Sequence, residues 1–272
     1  MNTQASVSPV QRIDTLLGPI AYRQAGSAER VSHVLLHGIG SASASWAAQL
    51  AWAQGRPDVR LLAWDAPGYG QSAAVAPAWP QASDYAARLW VWLDAMQVHD
   101  PAVLVGHSLG AIMAASAALQ HPDRLSHLIL LSPARGYGDA PAADRERMVA
   151  ARLANLQQLG PAGMARARAP AMLSPQARPE WIEAVERNMA AIDPAGYTQA
   201  VHLLANARLL ADLGQLALPI RVASGEADTI TAPAACDEVA GAAGVQRLSL
   251  GPVGHACAIE AADAVTRLLT AH

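Results

Sequence analysis

The sequence contains no phenylalanine and only two cysteines. Bulky packing therefore falls to seven tryptophans, five tyrosines and seven methionines. Cys236 and Cys257 form no C-x-x-C pair and have no zinc-site spacing. Two cysteines in 272 residues read as free thiols in a reducing compartment. No apolar run approaches the roughly 20 residues that a membrane span needs. The first ten residues lack a basic patch followed by an apolar run, so no secretory signal is expected and the expected location is the cytoplasm. Charge is sparse, with 19 basic and 22 acidic side chains and a net charge of −3. No basic stripe invites nucleic acid or an anionic membrane as a partner.

What is present is apolar and periodic. At 52% hydrophobic residues the chain can bury a sizeable core. Two short strands, over 11–17 and 20–24, flank the turn signal Gly18-Pro19. Buried strands are then expected over 31–36, 59–64, 103–105, 125–131, 218–224 and 245–250. Helical segments lie between most of them. One is expected to start at a Ser83-Asp84 cap and to carry Leu89, Trp92, Leu93 and Met96 at helical spacing. Another is expected from Ile259 to Leu269. Strand–helix alternation predicts a mostly parallel sheet covered on both faces, with an antiparallel hairpin at one edge. The alternation lapses over 134–215, which reads as helices broken at Gly160-Pro161, Ala169-Pro170, Ser174-Pro175 and Asp193-Pro194. The expected organisation is a core of 1–133 and 216–272 with a helical insertion of 134–215.

The most informative stretch is Val103-Leu104-Val105-Gly106-His107-Ser108-Leu109-Gly110-Ala111. A buried strand runs into Gly-x-Ser-x-Gly and then a small-residue helix, the context that gives a nucleophile elbow its meaning. A serine hydroxyl is a weak nucleophile and must stand where a base can reach it. A strained turn puts Ser108 there, and Gly106 and Gly110 let strand and helix pass closely. The Leu109 N–H then lies at a helix N-terminus, where developing negative charge is stabilised. The plainer alternative is a serine that merely caps a helix.

The base and its orienting acid come from later loops. Of nine histidines, His255 alone sits in a glycine-flanked loop after the last strand. His37 reads as a support for the loop His37-Gly38-Ile39-Gly40, and His107 as a neighbour of the serine that points elsewhere. Asp228, after the preceding strand, is the candidate acid, with Asp139 a weaker rival. Every one of these motifs lies just past a strand's C-terminal end, on the face where such sheets bind ligands.

The order Ser108, Asp228, His255 resembles that of the α/β-hydrolase superfamily. The resemblance runs from His37-Gly38 through Asp65-x-Pro67-Gly68-x-Gly70-x-Ser72 and the elbow to Gly225-x-x-Asp228 and Gly254-His255. Within it the chain is similar to the lidded serine hydrolases that include enol-lactone hydrolases, carboxylesterases and carbon–carbon hydrolases of aromatic breakdown. The resemblance implies an α/β fold with an eight-stranded sheet and a lid formed by 134–215. It implies Ser108 as nucleophile, His255 as base, Asp228 as orienting acid, and an oxyanion hole from Ile39 and Leu109, with Gly40 as a substitute for Ile39. It implies no cofactor and no metal, a small-molecule acyl substrate, and a monomer or homodimer. A serine at the elbow argues against dehalogenase and epoxide-hydrolase chemistry. Carbon–carbon bond hydrolysis, cofactor-free haloperoxidase or perhydrolase activity, and a non-catalytic ligand-binding role share the same residues and stay open. Met148, Met164, Met172, Met189, Trp181 and Tyr197 are expected mainly to pack the lid, some facing an apolar pocket. Arg135, Arg166, Arg168 and Arg208 suit a substrate carboxylate, but solvated lid charges are the preferred reading of each.

Overall fold

A computed structural model describes residues 8–100 and 102–270. Eight strands form one sheet in the order β1-β2-β4-β3-β5-β6-β7-β8. They are β1 (Gln11–Ile13), β2 (Ile20–Gly26), β3 (His33–Leu36), β4 (Arg60–Trp64), β5 (Ala102–His107), β6 (Leu125–Leu131), β7 (Ile220–Ser224) and β8 (Arg247–Ser249). β1 and β2 pair antiparallel, and β2 runs antiparallel to β4. All pairs from β4 onward are parallel. This is the expected α/β sheet with its edge hairpin.

Ten α-helices lie among the described residues: α1 (Ala47–Ala53), α2 (Ala82–Ala95), α3 (Leu109–Gln120), α4 (Ala142–Arg168), α5 (Pro179–Ala190), α6 (Pro194–Asn206), α7 (Leu209–Leu213), α8 (Pro233–Ala242), α9 (Cys257–Glu260) and α10 (Ala262–Thr270). Successive strand residues point to opposite faces, so each apolar strand feeds two cores. Leu36, Leu62, Leu104 and Leu130 pack under α2 and α3 with Tyr85, Leu89 and Trp92. Leu35, Leu61, Val105 and Leu131 pack on the other face with Trp46 and Leu50 from the α1 region and Val265 and Leu269 of α10. In place of phenylalanine, Trp64 stacks on Trp92 with ring centroids 6.0 Å apart.

Several strands are shorter than expected, β1 ending at Ile13 and β8 spanning only Arg247–Ser249, and two helix boundaries differ for local reasons. α2 begins at Ala82, and Asp84 is not its cap but its third residue. There its carboxylate accepts the Gln81 N–H at 2.7 Å. The expected final helix is two, because Ala261 (φ −114°, ψ 40°) leaves helical geometry between α9 and α10. Between β6 and β7 no strand occurs among the described residues, and α4–α7 fill the interval. Gly160 (φ 61°, ψ 174°) kinks α4 just before Pro161. No helix among the described residues is long and apolar enough to cross a membrane.

Candidate active site

Ser108 stands between β5 and α3, at the N-cap of α3, in a conformation that non-glycine residues rarely adopt, φ 53° and ψ −114°. The surroundings hold it there. Its N–H donates to the Leu131 carbonyl at 2.9 Å, and its own carbonyl accepts the Ala111 and Ala134 N–H groups. A Cβ at Gly106 would lie 2.4 Å from the Gly110 carbonyl oxygen, and one at Gly110 only 2.3 Å from that of Leu36. Both glycines are therefore required for the strand–helix crossing.

Asp228 follows β7 and His255 follows β8. The Asp228 Oδ2 atom lies 3.0 Å from His255 Nδ1, with both residues buried. The acid is built by its own turn: Oδ1 accepts the Ile230 and Thr231 N–H groups, each at 2.9 Å, and Oδ2 accepts the Thr231 hydroxyl at 2.9 Å. Burial alone would raise the Asp228 carboxyl. The His255 hydrogen bond and charge, the Thr231 N–H and the Ser132 hydroxyl overcome it and hold the group at about 2. An ionised Asp228 keeps the His255 proton on Nδ1 and leaves Nε2 as a lone-pair base.

Two further histidines are structural. His37 Nε2 accepts the Ala66 N–H at 2.9 Å while Nδ1 donates to the Gly38 carbonyl at 2.8 Å, so it supports its loop as expected. His107 donates from Nε2 to the His255 backbone carbonyl at 2.8 Å. Burial, together with the charge of His255, pushes the His107 imidazole down to about 3. Its role was hidden in the sequence because its partner is 148 residues away.

Ser108, Leu109, Ile39 and His255 open on one cavity of about 400 Å³. A second, of about 30 Å³, shares Ser108, Ile39 and His255 and is closed by Met172, Met189 and Asn188. The first has the volume of a small-molecule cleft, and the second is far smaller. Tyr197 also lines the larger cavity, while Met164 is buried in the core cluster that also holds Ala200 and Leu204 of α6. Asp139 lines the larger cavity too, but its carboxylate faces Arg208 Nε at 2.6 Å rather than His255. Cys257 lines neither cavity, and burial raises its thiol to about 12. Among the described residues no group of three His, Cys, Asp or Glu side chains is placed to hold a metal ion.

Sequence reasoning missed Thr231, the bond from His107 to the His255 carbonyl, Arg152 of the larger cavity, and Glu260, whose carboxylate accepts the Gly254 N–H beside His255. Thr231 had a local signal, since a hydroxyl three residues after a turn aspartate often closes that turn. Glu260 and Arg152 had none, because neither stands in a motif and only the fold brings Glu260 to Ser174 and Arg152 to the cavity of Ser108.

Comparison with known proteins bears on the fold and the family. The rat 1-acylglycerol-3-phosphate O-acyltransferase ABHD5 is 34% identical over 120 residues, 43% of this chain. The chain spans only about a third, 33%, of that relative's length. The 3-oxoadipate enol-lactonase 2 of Acinetobacter baylyi is 26% identical over 214 residues, 77% of this chain and 76% of the relative. A thermophilic esterase from Thermogutta terrifontis, solved with malate bound, superposes with a TM-score of 0.83 at 22% identity over 97% of each chain, a likeness of fold. With the α/β-hydrolase architecture in place, and with residues 28–252 matching the model of the family described as serine aminopeptidase S33, the chain belongs to that hydrolase family.

Proposed function

We propose that this protein is a serine hydrolase that cleaves a small ester, lactone or related acyl bond. The observation that carries the reading is the strained Ser108 sharing a cavity with His255, whose Nδ1 is held by Asp228. In the proposed reaction His255 Nε2 takes the Ser108 proton as Oγ attacks the acyl carbon. The tetrahedral oxyanion is held by the backbone N–H groups of Leu109 and Ile39. The Gly40 N–H already meets the Tyr69 hydroxyl at 3.4 Å, which supports Ile39 as the second donor. Collapse breaks the acyl–oxygen bond and His255 returns its proton to the leaving alcohol. Water, deprotonated by His255, then releases the acid and restores Ser108. The enol-lactonase relative supports a lactone as well as an open ester. Residues 134–215 act in this reading as a lid, since α4 and α5 supply Arg152, Asn188 and Met189 to the two cavities. The free, buried thiols Cys236 and Cys257 fit a cytoplasmic setting.

The test is a chain-length series of p-nitrophenyl esters together with fluorophosphonate labelling. Wild-type protein is expected to label at Ser108 and to favour short acyl chains. Ser108→Ala is expected to lose labelling and at least about 10⁴-fold in kcat with an unchanged circular dichroism spectrum. Undiminished turnover in that folded variant would remove the mechanism. Labelling without ester turnover would redirect the search to carbon–carbon bonds.

A further inference from the structure

We propose that the larger cavity holds a carboxylate-recognition site, built by Arg152 and Arg168, that selects acyl substrates carrying a second, anionic end. The inference deepens the ester-hydrolase reading and rests on it for the reacting end. Both arginines come from α4, one from each side of its kink at Gly160, and both line the cavity that Ser108 and His255 open on. Among the described residues neither has an ion pair or a side-chain hydrogen bond. The other charges of that wall are already matched. Arg135 is paired with Glu238, and Asp139 with Arg208. The cavity is thus left with two uncompensated cations and no free acid.

That arrangement is costly without a ligand. Burial lowers the Arg168 guanidinium below its ordinary value, and the like charge of Arg152 lowers it further, against a smaller opposing effect of Tyr197. Arg152 also reaches electrostatically to the buried Tyr69 beneath the Ile39–Gly40 loop. Two guanidiniums in one partly dry wall repel each other. One carboxylate between them relieves the repulsion and accepts forked N–H donors from both. The lining also carries the apolar side chains of Met172, Met189, Leu204 and Leu210, which suit a short hydrocarbon spacer. The predicted ligand class is a small dicarboxylic acid esterified or lactonised at one end.

The experiment compares mono-p-nitrophenyl glutarate with p-nitrophenyl pentanoate, which differ by the terminal carboxylate. The wild-type ratio of kcat/KM is expected to favour the glutarate ester by at least tenfold. Arg152→Gln and Arg168→Gln are each expected to cut that ratio about 10- to 100-fold, chiefly through KM for the anionic ester. Arg166→Gln, an exposed change outside the cavity, is the control and leaves the ratio in place. Calorimetry of glutarate with the Ser108→Ala protein gives a readout independent of turnover. Equal handling of the two esters, unmoved by either arginine change, overturns the anion site and leaves the ester reading standing. No turnover of either ester, with glutarate binding that needs Arg152 and Arg168, supports the anion site and overturns the ester reading. Neither turnover nor glutarate binding overturns both.

Discussion

At the residue scale the site depends on side chains that hold others in place. His107 is the clearest case, because its ring donates to the backbone carbonyl of His255, the residue proposed as base. It can do so as a neutral ring, and burial keeps it neutral down to about pH 3. The sign of the consequence follows. The unfolded chain protonates this histidine near pH 6.5, whereas the folded chain does not until about pH 3. Between those values the unfolded state binds more protons, so stability falls as pH falls. Asp228 acts in the same direction over a lower window, from its ordinary value near 3.8 down to about 2. His107→Gln keeps an N–H donor but cannot titrate. Its unfolding free energy is expected to fall with acid less steeply than wild type, by about 1 kcal/mol per pH unit between pH 6 and 4. Denaturant melts across that range check it. Parallel slopes for the two proteins would mean that His107 is already protonated in the native state.

At the element scale the question is how loops from separate strands are kept in register. The His255 loop is tied to the segment between α4 and α5 at three points. The Ala256 N–H donates to the Met172 carbonyl at 2.7 Å. A Cβ on Gly254 would come within 2.4 Å of the Leu173 backbone, so no other residue fits there without displacement. The buried carboxyl of Glu260 accepts the Gly254 N–H at 2.8 Å, the Ser174 N–H and the Ser174 hydroxyl. One side chain from α9 thus joins the proposed lid to the loop of the proposed base. Glu260→Ala leaves these donors unpartnered. The expected cost is about 2–4 kcal/mol of stability. Glu260→Gln, which keeps the shape, is expected to recover more of the stability than of kcat, because a single amide oxygen cannot hold both loops. Chemical melts with kcat for both variants check this, and equal recovery of the two would reduce Glu260 to a packing residue. Sequence reading reached the loops but not these ties. Ser108, Asp228 and His255 each carried a local signature: a glycine-flanked turn past an apolar strand. Glu260 sits in a short helix with no motif, and its partners are 86 and 6 residues away. The sheet was legible for the same reason as the loops, since runs such as Leu128–Leu131 admit only a buried strand. The break at Ala261 was not, because nothing in its neighbours distinguishes it from a helical alanine.

At the scale of the whole molecule, the helices between β6 and β7 are not equally attached to the sheet. α6 buries most of its length, and Gln199 donates to the Val75 and Pro77 carbonyls at 2.8 and 2.9 Å. Its Gly196 packs so closely on Gly68 that a Cβ there would fall 1.8 Å from the Gly68 oxygen. α6 therefore belongs to the core mechanically, although it lies in the inserted stretch. α4 buries only Met164 and Ala165, both beyond its kink, and its first half is held by partly buried contacts of Met148, Val149, Leu153 and Leu156. Local opening follows buried contact, so protection is expected to divide at Gly160 rather than at the ends of the insertion. Amides of 142–159 are expected to exchange at least about tenfold faster than those of 196–206, which should follow the central strands. Hydrogen-exchange mass spectrometry measures this directly. Because Arg152 lies on that first half, glutarate bound to Ser108→Ala should slow 142–159 and leave 196–206 unchanged. Uniform protection across 142–206 would mean that the insertion moves as one body, and entry to the Ser108 cavity would then require the whole of it to shift.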